Sequence, residues 1–135
     1  MEKNFTIEQA ISINCEDQNF DLHNCYDFKE LKFEVATKTV ILAFELNKSI
    51  SGLDGSATSI TFKFTGIDHF ELSPQFANYV NHELSEMGYK NPDDTDYDWL
   101  VDESKSTNSD HIFFRLANDE YIRLHSCWAV VSTQP

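Results

Sequence analysis

Apolar residues in this chain fall at alternate positions in segment after segment, the period of a β-strand with one face buried. Phe5, Ile7, Ile11, Ile13 and Cys15 occupy odd positions and read as one half-buried strand. Leu31, Phe33 and Val35 alternate with Lys32 and Glu34, and after Thr37-Lys38 the alternation resumes in Val40, Leu42, Phe44 and Leu46. Two such runs with so short a gap predict a hairpin. Thr-Lys is not a favoured pair for the tightest turns, so a connection of three or four residues is an alternative. Ile60, Phe62 and Phe64 form a further run, broken at Gly66 by a bulge or turn before extended character resumes over 67–72. Ile112 to Leu116, a turn at Ala117-Asn118-Asp119, and Tyr121 to Val131 predict a last hairpin. Residues 20–26 read as a short strand or an ordered loop, and 49–58, with Gly52 and Gly55, as a loop.

One segment departs from this pattern. Phe76, Tyr79, Val80, Leu84 and Met87 recur at three- and four-residue steps, which predicts a helix over 74–87. Ser73 suits its N-cap, Pro74 its first position and Gly88 a left-handed end. The expected fold is therefore α+β and mainly β. It is an antiparallel sheet system, a sandwich or partly open barrel, with one helix near 74–87, in a single compact domain over 1–135. Eleven Phe and a hydrophobic content of 41% supply a core for it.

The charge is lopsided. The formal net charge is −13, and residues 91–135 carry nine acids against three bases. The excess concentrates in Asp93-Asp94-Thr95-Asp96-Tyr97-Asp98-Trp99-Leu100-Val101-Asp102-Glu103, six carboxylates in eleven residues with no Lys or Arg between Lys90 and Lys105. Such a patch repels nucleic acid and anionic membrane and attracts a basic protein. Asp93, Asp94, Asp96, Tyr97, Asp98, Trp99, Asp102 and Glu103 are the candidate partner-binding residues, because aromatic anchors among complementary charges resemble interface hot spots. Equally, the two rings would tie a loop or short strand over 97–102 to the core. Arg115 and Arg123 are expected to pair locally, with residues such as Asp119 and Glu120.

Metal and catalytic motifs fall short. Asp94, Asp96 and Asp98 match the first ligands of a calcium loop, but Trp99 stands where Gly is needed and Lys105 where the bidentate Glu belongs. His23-Asn24-Cys25 and His125-Ser126-Cys127 would hold zinc only if their strands met, and the spacing is unusual for it. No metal and no cofactor are expected. Ser109-Asp110-His111 are contiguous, so their side chains alternate and form no triad by themselves. The expected protein is not an enzyme. Three cysteines fit reduced thiols, and Met1-Glu2-Lys3-Asn4 lacks the apolar core of a signal peptide, so the expected compartment is the cytoplasm.

The run Leu31-x-Phe33-x-Val35, Val40-Ile41-Leu42-x-Phe44-x-Leu46 and Ile60-x-Phe62-x-Phe64-x-Gly66-Ile67-x-x-Phe70 resembles small β-rich bacterial immunity proteins of polymorphic and contact-dependent-inhibition toxin systems. The resemblance covers residues 28–72. It implies a cytoplasmic inhibitor that covers the active site or substrate surface of a basic toxin domain, often a nuclease, as a monomer or weak dimer. The alternatives are a non-catalytic adaptor, which predicts assembly through apolar surface, and a small hydrolase, which predicts a concave pocket with clustered His and carboxylates.

Overall fold

In the computed structural model, which describes residues 1–47, 49 and 57–135, the alternating runs become strands in three sheets. Tyr26–Glu34 (β5) and Thr39–Leu46 (β6) form the expected hairpin through a four-residue turn, in which Lys38 takes a positive φ of 51°. Ser59–Thr65 (β7) pairs with β6 and with Trp128–Gln134 (β12), which in turn pairs in parallel with Glu2–Lys3 (β1). The order of this five-stranded sheet is β1-β12-β7-β6-β5. A four-stranded antiparallel sheet faces it: His69–Leu72 (β8), Tyr121–His125 (β11), His111–Leu116 (β10) and Leu84–Lys90 (β9), in that order. Thr6–Glu8 (β2), Ser12–Cys15 (β3) and Gln18–Asp21 (β4) make a small third sheet. The mainly β expectation holds. The expected loop at 49–58 lies for the most part outside the described residues.

The core is the set of side chains that alternation turns inward. Val40, Leu42 and Phe44 from β6, and Ile60, Phe62 and Phe64 from β7, are buried against Ile112, Phe114 and Leu116 of β10 and Ile122 and Leu124 of β11. Phe62 is the hub. Its ring lies 5.3 Å from Phe5, 5.8 Å from Phe44, 6.1 Å from Phe64 and 5.5 Å from Phe114. Aromatic pairs at such separations add to the stabilisation from burial alone.

Five expectations are corrected. The odd-position run from Phe5 to Cys15 is a hairpin, because Gln9 and Ala10 adopt left-handed φ of 53° and 62° and reverse the chain. Ile7 lies opposite Ile13, so the three-residue turn kept the parity of the run and hid itself. The helix expected over 74–87 is a single turn, Phe76–Tyr79 (α1). Its Tyr79 and Val80 are exposed, whereas Leu84 and Met87 belong to β9, where sheet pairing outweighs local periodicity. Ser73 does not cap it; its hydroxyl donates to Glu120 and accepts the Tyr121 N–H. Gly88 ends no helix and sits in β9, opposite Phe113.

The last correction concerns Tyr121 to Val131, which is two strands in two sheets. The chain crosses at Ser126-Cys127, where the buried Ser126 hydroxyl donates to the Trp128 carbonyl at 2.8 Å and Cys127 N–H donates to the Gly66 carbonyl at 3.2 Å. Gly66, with φ of 70°, makes the matching turn after β7.

Removing the Phe62 ring leaves a cavity bordered by four other rings. Phe62→Ala is expected to lower unfolding free energy by about 3–5 kcal/mol. A denaturant titration showing a loss near 1 kcal/mol would place the hub elsewhere.

Candidate functional site: an acidic loop pinned across a sheet

The inward residues of the four-stranded sheet face the Phe core. Its other face carries His111, Phe113 and Arg115 from β10, Tyr121, Arg123 and His125 from β11, His69 and Glu71 from β8, and Lys90 from β9. A polar face of this kind would ordinarily be wet. Here Lys90 is 0%, Phe113 0% and Arg123 3% exposed, because the acidic segment lies across them. Gly88 makes this approach possible. A Cβ on it would meet Leu100 Cβ at 2.9 Å and the Val101 carbonyl at 3.0 Å. Val101 and Tyr89 exchange backbone hydrogen bonds, the one sheet-like contact of the segment 97–102 among the described residues.

Three cations hold the loop from beneath. Lys90 Nζ donates to the Trp99 carbonyl and pairs with Asp94 Oδ2 at 3.0 Å. Arg123 donates to the Asp94 carbonyl at 3.0 Å, the Asn91 carbonyl at 3.2 Å and His111 Nδ1 at 2.9 Å. Arg115 donates to the Tyr97 carbonyl and to Glu86 Oε1 at 3.0 Å. Neither arginine pairs with Asp119 or Glu120, as local pairing had predicted. The cross-strand geometry sends both to the loop instead.

The eight candidate residues divide by direction. Tyr97 turns inward: its ring stacks on Tyr121 at 4.8 Å and its hydroxyl donates to Glu71 Oε2 at 2.7 Å. Burial by itself raises the Glu71 pKa, but hydrogen bonds from Tyr121, Tyr97 and His69, together with Arg123, hold it below the usual range. Glu103 also turns inward, accepting from Lys3 Nζ at 2.7 Å, Tyr89 hydroxyl at 2.6 Å and Ile7 N–H at 2.8 Å. These bonds outweigh its burial and keep it ionised below the ordinary carboxylate pKa. Asp94 is spent on Lys90, whose hydrogen bond lowers its pKa.

Asp93, Asp96, Asp98, Trp99 and Asp102 face solvent, with Trp99 78% exposed. Trp99 is thus not anchored by its ring; only its carbonyl is held. The loop backbone between them is stiffened by Asx turns. The Asp96 N–H donates to Asp94 Oδ1 at 2.9 Å and the Asp98 N–H to Asp96 Oδ1 at 2.7 Å.

Beside the loop's base lies a histidine stack that contiguous motifs did not reveal. His69 and His111 rings are 4.3 Å apart, and His125 is 5.9 Å from His111. His125 Nδ1 meets Asp68 Oδ1 at 2.7 Å, and His69 Nε2 meets Glu71 Oε1 at 3.2 Å. The cross-strand register His125–His69 was the hidden signal. The two His-x-Cys motifs do not meet: His23 Nδ1 bonds the Leu84 carbonyl, whereas His125 belongs to the stack. Among the described residues, no three His, Cys, Asp or Glu are grouped to hold a metal ion. Asp110 of Ser109-Asp110-His111 accepts the Thr107 N–H at 2.9 Å and does not reach His111 as a triad acid would. The polar hollow lined by Lys3, Tyr89, Glu103 and Asp110 contains no histidine. No helix among the described residues is long and apolar enough to cross a membrane.

Lys90→Met keeps the aliphatic stem but removes the donor to Trp99 and the partner of Asp94. The expected loss is about 1–3 kcal/mol, with faster amide hydrogen exchange concentrated in 91–101 while β10 and β11 stay protected. Uniform acceleration across both sheets would contradict a locally pinned loop. His111 titrates at about 4, lowered first by burial and then by His69, Arg123 and His125, with Asp68 opposing. The unfolded chain takes up this proton near 6.5 and the folded chain only near 4. The stability contributed by neutral His111 is therefore complete above about pH 6.5 and is lost as pH falls through about 4, up to roughly 3 kcal/mol. The stability difference between wild type and His111→Gln should shrink over that window; a difference independent of pH would refute the assignment.

The chain was compared with known protein families, with curated proteins and with solved structures, and none of them matches it.

Proposed function

We propose that this protein is an acidic cytoplasmic immunity protein that binds and neutralises a basic toxin domain, a nuclease by preference, by covering its active site or substrate surface. The observation that carries the reading is Trp99, 78% exposed on a loop whose backbone is pinned by three cations and whose outward carboxylates are Asp93, Asp96, Asp98 and Asp102. At this exposure the ring adds little burial to folding and its apolar area is open to a partner. The Trp99 backbone is already fixed, so binding has only the side-chain rotamer left to order. The net charge of −13 steers a basic partner toward the surface, and the ring then buries apolar area at the contact. The inward cations neutralise part of the loop from below without reaching the outer surface, so the field outside stays negative. The protein acts without a cofactor, by occlusion rather than by chemistry.

The test begins with the gene beside this one, where the reading expects a large secreted protein ending in a short basic domain. Co-expression with this chain should rescue growth from that domain, and lack of rescue would sink the reading. The contact surface is tested by kinetics. Asp93, Asp96 and Asp98 replaced together by Asn keep the side-chain oxygen that makes the Asx turn but lose the charge. Association is expected to slow about tenfold at low salt and to lose most of its salt dependence. Trp99→Ala should speed dissociation by tenfold or more with an unchanged melting temperature. Association equal to wild type at every salt concentration would remove the loop from the interface.

A further inference from the structure

We infer that the β5 edge is a self-association surface that pairs with β5 of a second copy, antiparallel about a two-fold axis at Phe33. β5 is the outermost strand of the five-stranded sheet. Among the described residues, the Phe28 N–H alone on its open edge is taken up by another backbone group, the His82 carbonyl at 2.7 Å. The stretch from Glu30 to Glu34 thus offers unpaired backbone donors and acceptors, a template for a further strand.

The side chains choose the occupant. Leu31 and Phe33 lie opposite Leu42 and Val40 and so point to the core side, yet Phe33 is 42% exposed and Val35, two residues on, is 77% exposed. Phe33 is already oriented by Phe70 of β8, its ring 4.9 Å away in a T-shaped contact. Glu30, Lys32 and Glu34 point to the opposite face and alternate in sign.

A two-fold axis reverses this pattern against itself. With the axis at Phe33, Phe33 meets its own copy, Leu31 meets Val35, the first residue of the turn after β5, and Lys32 meets Glu34 in both directions. Apolar pairs form on one face and opposite charges on the other. Moving the axis to Lys32 sets lysine against lysine and Glu30 against Glu34. Moving it to Leu31 sets Phe33 against Lys29. Only the Phe33 register satisfies both faces. Lys32 bonds Glu30 of its own strand at 3.1 Å, and Glu34 has no basic partner among the described residues, so the second copy supplies one. Like-charged edges repel strands; an edge of alternating sign admits a reversed copy of itself.

The test is a charge exchange at exposed positions, read by sedimentation velocity across a wide concentration range. Wild type should pass from monomer to dimer as concentration rises. Lys32→Glu makes the outward triplet wholly acidic, and Glu30→Lys with Glu34→Lys makes it wholly basic. Each variant alone should dimerise about tenfold or more weakly, with wild-type melting temperature. An equimolar mixture of the two should recover the dimer, because every outward pair is again opposite in sign. Wild type that stays monomeric at all concentrations, variants that dimerise as wild type does, or a mixture that fails to recover the dimer would each overturn the inference.

Discussion

A lysine ammonium with no exposure to water is tolerated only when carbonyls or carboxylates replace the lost hydration. Lys90 is in that position, and its partners, the Trp99 carbonyl and Asp94, both come from the acidic segment. Arg123, also buried, draws its acceptors from Asp94 of the same segment, from Asn91 just before it and from His111. The outer face of the four-stranded sheet is therefore incomplete without the loop, and the loop has no fixed course without the sheet. Tyr97 and Glu103, which alternation and charge count alone would leave on the surface, are drawn inward by this mutual dependence.

The same constraint sorts the acidic cluster by task. Asp94 neutralises the buried Lys90 and Glu103 the half-buried Lys3, and these bonds, with those from Tyr89 and the Ile7 N–H to Glu103, lower both pKa values. Asp93, Asp96, Asp98 and Asp102 have no such duty and project the remaining charge. Trp99 is held by its carbonyl and free at its ring. This division gives the proposed binding surface a rigid support, because, apart from Asp96, whose carboxylate also closes an Asx turn, the side chains that would meet a partner are not those that hold the loop in place.

The two inferred surfaces are built differently. The loop presents side chains of one sign on a fixed irregular backbone, a surface suited to a partner of opposite charge. The β5 edge presents unpaired backbone with side chains of alternating sign, a surface suited to its own reversed copy. They belong to different sheets, β5 to the five-stranded sheet and the loop to the outer face of the four-stranded one.

Much of the fold was legible along the chain. Period-two runs at 40–46 and 60–64 became strands with the expected face inward, because one buried face demands alternation wherever the strand sits. The run at 31–35 became strand only to Glu34, and at the sheet edge Phe33 and Val35 stay exposed. The turn at Gln9-Ala10 was not legible, since Ile7 and Ile13 share a parity across it and neither turn residue is Gly. The crossing at Ser126-Cys127 left a faint trace: buried residues shift from even positions, Ile122 and Leu124, to odd ones, Ala129 and Val131. Met87 looked helical because three- and four-residue steps also arise by chance where a short turn precedes a strand. The sequence alone determined an acidic, strand-dominated chain with one dense carboxylate segment. Tertiary structure decided which of those carboxylates face water. Arg115 and Arg123 stand apart from the segment in sequence and meet it only through cross-strand register, whereas Lys90, just before it, is turned under it by its place in β9 and pairs with Asp94 four residues on.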